Sequence, residues 1–85
     1  MIACDLHDYV EISCMFGYQV KFELKSGQVL TAIPVTTKIG QGQREFLLLK
    51  PVASINELTQ DKILLTDLRS MTVLTENARF SYIEF

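Results

Sequence analysis

Residues 18–33 read YQVKFELKSGQVLTAI, and their first half alternates strictly: Tyr18, Val20, Phe22 and Leu24 are apolar, Gln19, Lys21, Glu23 and Lys25 polar. A period of two sends the apolar set to one face of an extended chain, so this is a half-buried β-strand. Ser26-Gly27 then offers a two-residue turn in which glycine can take a positive φ. Such a turn sets Leu24 opposite Val29, Phe22 opposite Thr31 and Val20 opposite Ile33. The apolar faces coincide in that register, which predicts an antiparallel hairpin. Pro34 lacks the N–H that a ladder needs and is expected to end the second strand or to mark an edge.

Working outward, TKIGQGQ (37–43) reads as a turn with two glycines. REFLLLK (44–50) is a third strand, its apolar centre expected to be buried on both sides, and Pro51 closes it. VASINELTQD (52–61) is a polar connection with a helical turn expected near Ser54 to Leu58. KILL (62–65), MTVL (71–74) and FSYIEF (80–85) are three further short β-type runs. So many closely spaced strands in 85 residues predict a mainly β fold, a short helix followed by a strongly bent five- to six-stranded antiparallel barrel. At this length residues 1–85 make a single small domain with one modest core.

The helix precedes the hairpin. Residues 4–14 read CDLHDYVEISC, and if Asp5 to Cys14 is helical, Asp5 caps the first turn with Asp8 three residues on. On a 3.6-residue period Leu6, Val10, Ser13 and Cys14 share one stripe, while Asp5, Asp8 and Glu11 share the adjoining one. One side packs and the other shows charge. About ten residues are too few for a stable isolated helix, so it must dock on the sheet.

Most chemistry is excluded by spacing. Cys4, His7 and Cys14 are three potential zinc ligands where four in close pairs are needed, so no metal is expected, and the cysteines are expected to be reduced thiols. His7, Asp8 and Ser13 are the residue types of an acyl-transfer triad, but at helical spacing they do not converge on one point. Gly40-Gln41-Gly42 lacks the helix and the Lys-Ser/Thr of a phosphate loop. No enzyme activity and no cofactor are expected. The chain opens without a positive n-region or an apolar h-region and has no bilayer-length apolar run, which reads as cytoplasmic.

Charge is the one asymmetry. The formal net charge is −2, yet Asp5, Asp8 and Glu11 lie in a stretch without a cation, all eight Lys and Arg residues coming from Lys21 onward. Segregation of this kind suits docking on a basic surface. It argues against direct nucleic-acid binding, since Lys21, Lys25 and Arg44 offer at most a small positive patch with no aromatic interleaved.

These residues resemble a known family, the Rho-binding antiterminators (Rof or YaeO). Its pattern of Cys-Asp, a second Asp, a hydrophobic-Glu-hydrophobic-small-Cys run and a strand ending Leu-Lys-polar-Gly is matched by Cys4, Asp5, Asp8, Val10, Glu11, Ile12, Ser13, Cys14, Leu24, Lys25, Gly27 and Ala32. Weaker echoes follow at Glu45-Phe46-Leu47 and at Leu65, Asp67 and Leu68, and the connection from Pro51 to Asp61 is longer than the family's. The resemblance implies an N-terminal helix on an Sm-like barrel that binds the transcription termination factor Rho. There it would cover the RNA-loading (primary) site and cause antitermination, without catalysis. It also implies that Asp5, Asp8 and Glu11 are acidic contacts and Tyr9 an aromatic anchor. His7 would bond locally or enter the interface, and Asp67 would form a turn or face the partner. The competing readings are a stand-alone Sm-like RNA-binding protein and an oligomeric module pairing through FSYIEF; a monomer is expected.

Overall fold

The computed structural model describes residues 4–52 and 60–85, without the side chains of Cys4 and Asp5. The expected helical turn at 54–58 and the capping role of Asp5 lie outside the described residues. Helix α1 (Cys4–Phe16) is followed by strands β1 (Val20–Leu24), β2 (Val29–Ile39), β3 (Glu45–Lys50), β4 (Lys62–Leu64), β5 (Leu68–Val73) and β6 (Tyr82–Glu84). They form one antiparallel sheet in the order β4-β3-β2-β1-β5-β6. Among the described residues no helix is long and apolar enough to cross a membrane.

The helix stops where glycine lets it. Gly17 has φ +62°, its N–H donates to the Cys14 carbonyl (3.3 Å), and the Tyr18 N–H donates to the Ser13 carbonyl (3.1 Å). This is the paired C-terminal closure that satisfies two orphan carbonyls and turns the chain directly into β1.

The hairpin forms, but its register differs by one residue from the expected one. Val20 pairs with Ala32, Phe22 with Leu30 and Glu23 with Val29. The loop has three residues rather than two: Leu24 N–H donates to Gln28 O (2.9 Å) and Gly27, at φ +94°, donates to Leu24 O (2.9 Å). A one-residue shift moves every side chain of a strand to the other face. It brings Leu30, Ala32 and Pro34 inward and leaves Val29 exposed. Glycine at the left-handed position of a three-residue loop makes this register available.

Pro34 does not end β2. It lies past the last pair with β1, at an irregularity between Pro34 and Thr36, and beyond it the strand continues along β3 to Ile39. A proline is tolerated at a bulge. β2 therefore serves two half-sheets, with β1, β5 and β6 on one side and β3 and β4 on the other.

The barrel expectation is corrected. Among the described residues the edge strands β4 and β6 do not pair with each other, so the sheet stays open. Each edge strand has three residues, which leaves little ladder for closure to gain. Irregularities in the β2–β3 and β1–β5 ladders are where such a sheet bends and twists instead. The core gathers Val20, Phe22 and Leu24 of β1 with Leu30, Leu47, Leu68 and Met71, and Val10 closes it from α1. In β3 Leu47 and Leu49 are buried but Leu48 is only half-buried, so that strand is covered fully on one side alone.

Candidate functional site

Two buried residues fix the rotation of α1. Val10 and Ser13 are fully buried against the sheet, and the Ser13 hydroxyl donates to the Tyr9 carbonyl (3.0 Å), one turn back. That bond removes Ser13 from any nucleophilic role. With 10 and 13 facing in, Asp8 and Glu11 face solvent, as the periodicity predicts. They are three positions apart on adjoining turns, so their charges add on one patch. Among the described residues no lysine or arginine pairs with either. Asp5 belongs to the helix, though its side chain lies outside the described residues.

His7 is a tether. It is half-buried and reaches from α1 to the start of β3, where Nε2 stands 2.8 Å from Glu45 Oε2, while Nδ1 lies 3.3 Å from Glu11 Oε1. Both ring nitrogens are thereby used. Among the described residues no three His, Cys, Asp or Glu side chains converge in a way that could hold a metal ion.

Tyr9 holds the opposite flank. Its ring packs edge-on against Phe80 at 4.9 Å, and Phe80 also meets Tyr18 at 6.1 Å. The Tyr18 hydroxyl accepts the Arg79 N–H (3.0 Å), and the Arg79 guanidinium lies 4.8 Å from the centre of the Phe16 ring. Each such ring contact adds about 0.5–1.5 kcal/mol beyond the area it buries. The acidic face is thus carried on a helix held from below by Val10 and Ser13 and at its sides by His7 and Tyr9. Glu45 and Phe80 are 38 and 71 residues from their partners, and no local spacing in the sequence signals them. Asp67 ends a single 3₁₀ turn and its carbonyl accepts the Lys25 N–H (2.8 Å), which is a turn-forming role.

Cys14 is half-buried, and burial first, then Glu11, push its thiol up from 9.0 to about 11. The proton is held more tightly in the folded chain. Its contribution to stability is therefore complete below pH 9 and is lost as pH rises through about 11. Cys14 should resist iodoacetamide at pH 7.5, because the thiolate is the reactive form. Replacing both cysteines by alanine should leave partner binding and the fold intact; rapid alkylation of Cys14 in the folded protein, or loss of fold together with bound zinc, would contradict this.

Comparisons with known proteins identify the family. The family profile described as "Modulator of Rho-dependent transcription termination (ROF)" matches residues 1–85. Among solved structures, YaeO bound to magnesium from Vibrio cholerae O395 is 30% identical, with a TM-score of 0.73 over 92% of this chain and 95% of that one. A comparison with curated protein sequences finds no significant match. Full-length agreement in sequence profile and shared fold at that identity place the chain in one family: it belongs to the ROF family of modulators of Rho-dependent transcription termination, which are regulators and not enzymes.

Proposed function

We propose that this chain inhibits Rho-dependent termination by docking the acidic face of α1 on the RNA-loading (primary) site of Rho. Asp5, Asp8 and Glu11 supply the charge, and Tyr9 anchors the contact beside them. The observation that carries this reading is the pair Asp8 and Glu11, exposed and without a Lys or Arg partner among the described residues, on a clamped helix. A surface that loads RNA is lined with cations, and carboxylates at a fixed spacing answer the same field that phosphates do. Holding the helix in advance lowers the ordering cost of association.

The Sm-like relationship belongs to the same reading, in the succession of one helix and then bent antiparallel strands. So does action as a monomeric single domain in the cytoplasm. The magnesium of the Vibrio relative is not carried over, because among the described residues no suitable donor set converges.

The test is competition. Purified protein added to Rho and a labelled RNA should raise the apparent Kd of Rho for the RNA in proportion to the concentration added, and should lower termination in a reconstituted transcription assay. Rho that binds the protein while retaining unchanged RNA affinity would refute the proposed site of action.

A further inference from the structure

The second feature of the molecule lies on the far side of the β2–β3–β4 half-sheet. Successive residues of a strand face opposite ways. Glu45 points toward α1, where it meets His7, so Phe46 points away from the helix. Register carries Lys38 and Leu64 to either side of Phe46, and Lys62 beside Leu48. No described element covers this face, and Phe46, Leu48 and Leu64 are half-buried there.

The result is a cleft of about 400 Å³ lined by Lys38, Gly40, Gln41, Phe46, Leu48 and Lys62, within the range of small-ligand sites. The Lys62 ammonium sits 5.1 Å from the centre of the Phe46 ring. Gly40 lies against that ring's edge: a Cβ there would fall 2.6 Å from Phe46 Cε2, so a larger residue would force the ring to shift. Lys50 is also exposed, on the same alternation as Phe46 and Leu48. Among the described residues no carboxylate pairs with these lysines; Glu45 is turned to the other face, and Asp61 is exposed just before β4.

We infer that this face is a second binding surface, one that takes single-stranded nucleic acid, with a base laid on Phe46 and Leu48 and its flanking phosphates on Lys38 and Lys62. The two lysines are two strands apart and offset by two residues along them, about 12 Å between backbone positions, which leaves room for a base between them. An aromatic plate between cations is the arrangement that non-specific single-strand binders use. The ammonium over the ring in the free protein swings aside to meet phosphate as the base takes its place. A carboxylate-rich peptide fits less well, since planar carboxylates are matched best by the forked guanidinium of arginine, whereas lysine serves phosphate as a point charge. The sequence argued against nucleic acid on net charge and on a missing aromatic. The aromatic is supplied by folding, and Asp8 and Glu11 are turned away from this face. The surface does not depend on α1, so it stands or falls separately from Rho docking.

Amide chemical shifts followed during titration with a short single-stranded RNA, without Rho, test this. At 50 mM salt the shifts should map to Lys38, Phe46 and Lys62 with a Kd on the order of 10–100 µM, and log affinity should fall against log salt with a slope of about −1.4 to −2, the value for two to three phosphate contacts. Lys38→Glu with Lys62→Glu should weaken binding at least tenfold. Phe46→Leu, which keeps apolar packing, should weaken it several-fold with the salt slope unchanged. Asp8→Lys with Glu11→Lys should not weaken it. Absence of shifts at millimolar RNA, or shifts confined to α1, would overturn the inference; so would a glutamate-rich peptide of equal charge binding as tightly as RNA.

Discussion

Reversing Asp5, Asp8 and Glu11 to lysine abolishes binding to Rho and leaves the sheet folded: this is the expected result with the largest functional effect. Each exposed ion pair contributes only about 0.2–1 kcal/mol, and a carboxylate desolvated against an arginine several-fold more, so the face acts as a sum. Reversal replaces that sum with repulsion of similar size. The fold survives because Asp8 and Glu11 are exposed, and exposed substitutions rarely cost more than about 0.5 kcal/mol. Glu11→Lys costs somewhat more, since it sets a cation beside His7 Nδ1 where a carboxylate stands at 3.3 Å. Asn and Gln replacements remove attraction without adding repulsion and should weaken binding less. Rising salt should loosen the wild-type complex mainly through the association rate. Circular dichroism checks the fold and titration against purified Rho at low and high salt checks the rest. A triple-lysine variant that binds as tightly as wild type, or binding indifferent to salt, would locate the docking surface elsewhere.

What was legible in the sequence was periodic. The alternation around Phe22 identified β1, and the 3.6-residue spacing of Val10 and Ser13 oriented α1 so that Asp8 and Glu11 point outward. What was not legible depends on contacts between distant residues. Both Leu30-Ala32 and Val29-Thr31 offer a passable inner face to β1, and the choice falls to the loop closed by Gly27 and to the packing of Leu30 in the core. Pro34 reads locally as a stop, yet a bulge makes it a bend, and the bend gives β2 two partners. The expected count of five to six strands includes the six observed, whereas closure depends on whether two three-residue edges meet in space. The His7–Glu45 tether and the Tyr9–Phe80 contact were invisible for the same reason. So was the plate of Phe46 between Lys38 and Lys62, residues drawn from three strands.

Val10→Asp carries the largest expected structural effect, and it separates the helix from its charges. Val10 is fully buried between α1 and the sheet, and among the described residues no Lys or Arg forms an ion pair there. An unpaired carboxylate at such a site costs several kcal/mol, a large fraction of the ~5–15 kcal/mol that stabilises a domain. Val10→Ala removes only methyl groups and should cost about 2 kcal/mol. The cheapest relief for the buried charge is release of α1 rather than rupture of the sheet. A 13-residue helix is marginal in water on its own, so once undocked it melts. The variant should therefore lose helical circular dichroism while the hydrogen-exchange protection of β1, β2 and β5 persists. Binding to Rho should fall as far as in the triple-lysine variant, although every acidic residue is still present. The two variants fail for opposite reasons, one keeping the ordered helix without its charge and the other the charge without its order. Should Val10→Asp melt the helix and still bind Rho with wild-type affinity, the carboxylates would be acting from an extended segment, and the clamp formed by His7, Tyr9 and Val10 would have no part in recognition.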